Sequence, residues 1–205
     1  MTRLKRVDLF QPTEIAIVHT ISRVVRRSFL LGDDPITGKN YDHRKGWIEE
    51  RMKLLAANFG VDLLVYSIMN NHVHQVVRSR PDIVEGWNDS EVARRWLTIC
   101  PGRRKKKHKE PTEAELNSIR TDPAKLAEIR LRLSNISWWM RLLNQPTARR
   151  ANLEDNQTGH FWHDRYKAVR LLDESAVLAC AAYVDLNPIR AAMAEKLETS
   201  YYTSA

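Results

Sequence analysis

The residue pattern predicts an α+β fold, an antiparallel sheet with helices packed on one face. Three stretches carry that prediction. β-Branched residues crowd residues 14–22, an asparagine pair joins two apolar runs at 61–69 and 72–78, and residues 122–145 repeat apolar side chains at helical spacing. At 205 residues and 43% hydrophobic content, the chain suits one domain with a core of its own. A largely helical, basic insertion is expected over about residues 83–158.

Taken in order, a basic N-terminal arm leads into Glu14-Ile15-Ala16-Ile17-Val18-His19-Thr20-Ile21-Ser22, a first strand without glycine. Arg23, Arg26 and Arg27 place cations at its end, and glycines, aspartates and Pro35 make residues 32–39 an irregular loop. Over residues 42–58 the period becomes helical, with Ile48, Met52, Leu55 and Phe59 in register and Gly60 as the stop. Asn70 and Asn71 then read as a hairpin turn, because asparagine tolerates positive φ. Pro81 ends the hairpin, and residues 82–100 read as one short helical segment.

A run of seven basic residues or histidine follows at 103–109, and Pro111-Thr112-Glu113-Ala114-Glu115 has the acids of a helix start. The stripe Leu126, Ile129, Leu133, Ile136, Met140 and Leu143 predicts one long helix over 122–145, then a polar loop over 152–159. Residues 159–172 read as an aromatic, basic strand. Asp173 caps a helix over about 174–186 whose apolar residues on nearly every side predict deep burial. Pro188 disfavours helical geometry at Asn187, so a separate short helix is expected over 188–196.

A formal charge of +8 and a pI near 9.7 favour a polyanionic partner, nucleic acid before an anionic membrane surface. No run approaches the length of a membrane span, and Met1-Thr2-Arg3-Leu4-Lys5-Arg6 lacks the apolar stretch of a secretion signal. Cys100 and Cys180 form no framework pattern, which makes a reducing cytosol the expected compartment. Candidate phosphate contacts are Arg23, Arg26, Arg27, Arg103, Arg104, Lys105, Lys106, Lys107, Arg149, Arg150, Arg165 and Lys167. Trp138, Trp139 and Arg141 could stack on unpaired bases.

The chemistry centres on Asn70-Asn71-His72-Val73-His74. Side chains alternate along a strand, so His72 and His74 share a face, a workable bite for one cation. Alone, such a pair is more often a surface or core pair than a metal site. A nucleotide-hydrolase triad would need a third alternating histidine where Val76 stands. Tyr183 and Asn187 are four apart on a helix, hence on one face. If that helix crosses the histidine strands, two imidazoles and an amide oxygen could hold Mg²⁺ or Mn²⁺ beside a phenol. Singly, Tyr183 reads equally as a core tyrosine and Asn187 as a helix cap.

Together, Asn71-His72-Val73-His74 resembles the HUH motif of single-tyrosine transposases, and Tyr183-Val184-Asp185-Leu186-Asn187-Pro188 resembles their tyrosine helix. The nearest branch is the REP-associated tyrosine transposases and related insertion-sequence-type proteins of bacteria. Gly159-His160-Phe161-Trp162 through Arg165-Tyr166-Lys167 is similar to the strand before that helix, and the likeness covers most of residues 12–195. It implies a ferredoxin-like antiparallel sheet and a metal-dependent endonuclease and strand transferase for single-stranded, hairpin-bearing DNA. His72, His74 and Asn187 would bind Mg²⁺ or Mn²⁺, and Tyr183 would form a 5′-phosphotyrosine. The alternatives are a relative that binds structured DNA without cutting it, and a metal hydrolase without a covalent step. Compact members lack a segment like residues 83–135, so target sequence, and monomer against homodimer, do not transfer.

Overall fold

The computed structural model describes residues 10–25, 28–102, 110–194, 196 and 202–204. Four strands, β1 (Ile17–Arg23), β2 (Val61–Ile68), β3 (His72–Ser79) and β4 (Lys167–Leu171), form one sheet in the order β2-β3-β1-β4, each neighbouring pair antiparallel. Helix α1 (His43–Ala56) carries the chain from β1 to β2. Helices α2 (Pro81–Glu85), α3 (Asp89–Ile99), α4 (Glu113–Arg120), α5 (Pro123–Leu133) and α6 (Ile136–Glu154) lie between β3 and β4. This is the ferredoxin-like sheet with helices packed on it. Two further helices follow β4, α7 (Glu174–Asp185) and α8 (Asn187–Arg190).

Register sorts the sheet into two faces of different chemistry. Ile21 pairs with His74, Arg23 with His72, His19 with Val76, and Ile21 also with Lys167 across β4. These residues therefore share one face. Val73, Gln75 and Val77 point to the other, where α1 and α6 close the core. Trp139 of α6 is fully buried there, edge-on to Phe59 at 5.8 Å, and its indole N–H donates to Gln75 Oε1 at 2.9 Å. Trp139→Ala would empty this volume and leave a buried amide short of a partner. A loss of about 3–5 kcal/mol is expected, read as a lower denaturant midpoint.

A register shift between Leu63 and Val65 bulges β2 and sets Ser67 opposite His74. Beside β2, Ile68 N–H donates to Tyr202 O at 3.1 Å and Ser204 N–H to Tyr66 O at 3.1 Å. Arg44 of α1 is fully buried, its charge met by Glu154 at 2.7 Å and Asp155 at 2.5 Å from the end of α6.

Several local expectations are corrected. The segment 82–100 is two helices, because Asn88 takes an extended conformation and its side chain accepts from Glu91 N–H. The long helix over 122–145 breaks at Ser134 and Asn135, where Asn135 Oδ1 accepts from Ser137 N–H at 2.8 Å and Trp138 N–H at 3.3 Å. The apolar stripe survives the break, and Leu133 O is taken up by Gly60 N–H at 2.8 Å. Helix α6 then runs on to Glu154 with Pro146 inside it. Only Lys167–Leu171 of the expected strand over 159–172 is strand. Asn187 is helical despite preceding proline, a geometry disfavoured but not forbidden, so α8 continues almost directly from α7 and ends at Arg190. Helix α7 is not deeply buried. Val184 alone among its residues is buried, and Leu178 is 64% exposed. Apolar residues all round would demand burial if a partner layer existed, and this face of the sheet carries none beyond α7 itself among the described residues.

Candidate active site

The hairpin turn is built by side chains rather than by backbone conformation. Neither Asn70 nor Asn71 has positive φ. Asn70 Oδ1 instead accepts from the buried Lys45 Nζ at 2.8 Å, and Asn70 O accepts from Leu31 N–H at 2.9 Å. Gly32 lies so close to Asn70 that a Cβ there would sit 2.2 Å from Oδ1, so only glycine allows this approach. Asn71 O accepts from Val24 N–H at 3.0 Å, and Asn71 Oδ1 accepts from His72 Nδ1 at 2.5 Å. That last bond turns the Nε2 lone pair of His72 outward.

His74 is 2% exposed and lies beside His72, ring centroids 4.7 Å apart at 76°. Its Nδ1 is 2.9 Å from Nε2 of His19 on β1, and the two rings stack at 5.1 Å. A tautomer in which His74 Nδ1 donates to His19 leaves a lone pair on His74 Nε2, a buried atom with no hydrogen-bond partner. Burial holds both imidazoles neutral, His72 down at about 4 with some help from Arg23, and His74 at about 3 with help from His72, His19 and Arg23. Burial also lowers His19.

The sign of the pH dependence follows. The folded chain resists protonation that the unfolded chain accepts near 6.5, so stability is full above that value and falls as pH drops from there toward 4. Thermal melting from pH 7.5 to 4.5 should show a fall confined to the acid end, and His74→Asn should shrink it.

Tyr183 arrives from the opposite end of the chain. Its ring meets His74 edge-on at 5.6 Å and His19 at 6.3 Å, while the residue remains 42% exposed. Arg190 Cζ stands 5.9 Å from the centre of the same ring. One turn on, Asn187 has a buried amide nitrogen without a partner. The two ends of an amide exchange by rotation, so the group can present oxygen equally well. Among the described residues no three His, Cys, Asp or Glu side chains gather as metal ligands. The donor types that sequence reasoning offers a cation are mixed, neutral imidazoles whose free nitrogens are set by hydrogen bonds and the amide of Asn187, one turn from Tyr183.

Of the expected phosphate contacts, Arg23 and Lys167 lie exposed on the histidine face, and Arg165 is exposed just before β4. Arg149 and Arg150 belong to α6 on the other side of the sheet, where Arg150 Cζ stacks 3.8 Å from the ring centre of Trp47. Arg26, Arg27, Arg103, Arg104, Lys105, Lys106 and Lys107 fall outside the described residues. The residue the sequence reading missed is His19. A polar side chain inside a β-branched strand was the available signal, but its partner depends on register across 55 residues. Trp139, read as a base-stacking candidate, is core.

No family model matches the chain, and no curated protein matches it. Among solved structures it is similar to a REP-associated tyrosine transposase bound to a REP hairpin, with a TM-score of 0.54 and 9% identity, covering 100% of this chain and 82% of that one. A candidate transposase of Deinococcus radiodurans aligns with a TM-score of 0.38 and 12% identity, covering 84% of this chain and 90% of that one. Among the described residues no helix is long and apolar enough to cross a membrane. The chain thus shares the fold of the tyrosine transposase solved with a REP hairpin.

Proposed function

We propose that the chain is a divalent-metal-dependent nuclease and strand transferase of the HUH transposase type, acting on single-stranded DNA through Tyr183. One observation carries this reading. A phenol and two neutral imidazoles, separated by more than a hundred residues, meet on an otherwise open sheet face, with ring centroids 5.6 Å apart between Tyr183 and His74. A binding module needs neither the phenol nor the paired imidazoles. The likeness to a transposase solved with a hairpin supports DNA carrying a hairpin as the substrate class.

His72, His74 and Asn187 would hold Mg²⁺ or Mn²⁺, which when bound draws charge from the non-bridging phosphate oxygens. The chain's own groups do the rest. His19 and His74 fix the tyrosine ring edge-on, and Arg190 sets a cation beside it. Arg23 and Lys167 supply positive charge along the path of the strand. The phenol oxygen bonds to phosphorus as the bond to the 3′ oxygen breaks. The phenol proton ends on that oxygen, giving a 5′-phosphotyrosine and a free 3′-hydroxyl. The stored ester permits rejoining without ATP.

The test is incubation with hairpin-bearing single strands and Mg²⁺ or Mn²⁺, followed by denaturing electrophoresis for a protein-linked product. Tight binding without cleavage across many sequences and both metals would turn the reading to DNA binding alone.

His19 acts on this site through His74. In His19→Ala the buried His74 Nδ1 loses its partner, and affinity for Mn²⁺ should fall about 10–100-fold. Calorimetric titration checks this. Unchanged affinity would make the stacked pair a packing feature only.

A further inference from the structure

Residues 159–166 do not extend β4 but fold beside α6 and, with it, line an open cleft-like cavity of about 800 Å³. Its walls include Trp138, Arg141 and Gln145 of α6, facing Trp162, His163 and Arg165. We propose that this cavity seats an unpaired base of the DNA strand presented to Tyr183. The proposal rests on the nuclease reading above and adds where the strand is gripped.

The chemistry of the wall fits a nucleotide. The volume lies in the range of small-ligand pockets. Trp162 is half-buried and held rigid, its indole N–H donating to Asn144 O at 2.9 Å, and a fixed indole is a stacking platform for any base. The Arg141 guanidinium lies 4.8 Å from the centre of the Trp138 ring, a second flat surface that also carries charge. Arg141, His163 and Arg165 are exposed, at hand for phosphates, and the exposed Gln145 amide can donate to and accept from a base edge. Among the described residues the one carboxylate in the wall is Asp164, whose Oδ1 accepts from Arg165 N–H at 2.6 Å.

Position fits as well. His163 N–H donates to Arg23 O at 2.8 Å, and Trp162 pairs with Val24, so the segment runs alongside the end of β1. Arg23 in turn pairs with His72. Two strand spacings, about 10 Å along the sheet, therefore separate the His163 backbone from that of His72, while the cavity itself opens on the α6 side, across the sheet from the candidate cation site. A single strand that passes around this end of the sheet, from the α6 side to the histidine side, can place one base in the cavity and a phosphate before Tyr183.

The experiment uses the unmodified protein, a mixed-sequence single strand substituted with 5-iodouracil, and no divalent cation. Irradiation followed by peptide mapping should place adducts on Trp162, His163 or Trp138. Adducts confined to the histidine face, or no adduct although the strand binds, would overturn the proposal. Trp162→Ala should weaken single-strand affinity about tenfold. Arg141→Gln, an exposed change that leaves the core untouched, should lower the salt slope by about 0.7. Retained affinity in the first and an unchanged slope in the second would overturn the cavity as the grip. A strand that is bound and joined to Tyr183 with the cavity silent removes this proposal alone. Failure of the unmodified protein to bind any single strand removes the nuclease reading with it.

Discussion

Tyr183→Phe should lose DNA cleavage by at least about a thousandfold, because it removes the only atom that bonds to phosphorus in the proposed step. The ring stays, with its edge contacts to His74 and His19. The residue is nearly half exposed, so stability should change by no more than about 0.5 kcal/mol. Binding to a hairpin-bearing strand, measured without divalent cation, should match the unmodified protein. Electrophoresis should show neither nicked product nor protein-linked strand. Nicking that persists without the linked product would mean that water attacks, and would favour a metal hydrolase.

The second large effect is expected at the histidines, and the two should differ in kind. His74→Ala and His72→Ala should each abolish cleavage and most Mn²⁺ binding, since each removes a neutral imidazole nitrogen. His74→Ala should also destabilise the fold by about 1–3 kcal/mol, because it leaves buried His19 without its partner. His72 is less buried, and its loss frees only the adjacent Asn71 amide. Its melting temperature should move less. Cleavage at normal rates in either variant would remove that histidine from the site. Equal thermal losses in both would mean that the His19–His74 contact adds no stability of its own.

What could be read from the residues was local. The hairpin, the helix over 42–58 and the tyrosine helix each follow from a period, a cap or a proline within a few positions. Asp173 does cap α7, with Ala176 N–H at 2.8 Å. What escaped was largely non-local, the break at Asn135 excepted. The His19 contact needs the register of β1 against β3, which no stretch of either strand specifies alone. The break at Asn135 escaped because the apolar stripe keeps its phase through it, while a side-chain cap replaces the backbone bond. The asparagine turn was placed correctly for the wrong reason. Its amides hold Lys45 and His72 instead of permitting a left-handed backbone. The error over α7 has the same origin, since composition reports what a helix could bury and the neighbouring layers decide what it does bury.

In the proposed reaction, the thin seating of α7 sets how many molecules present Tyr183 at any moment. Among the described residues its inward hold rests on one fully buried side chain, Val184, with half-buried Ala176, Val177, Cys180 and Ala181, the edge of Tyr183 on two imidazoles, and the bond from Ser204 Oγ to Asp185 Oδ1 at 3.0 Å. Segments with so few buried contacts occupy the low end of the local-stability spectrum and detach at small free-energy cost. Turnover then scales with the seated fraction of the ensemble, and a seated fraction of about one in ten divides the rate by about ten with every reacting atom unchanged. Substitutions on the outer side of this helix, far from the proposed phosphate position, should therefore act on cleavage as a rheostat, by shifting occupancy rather than chemistry.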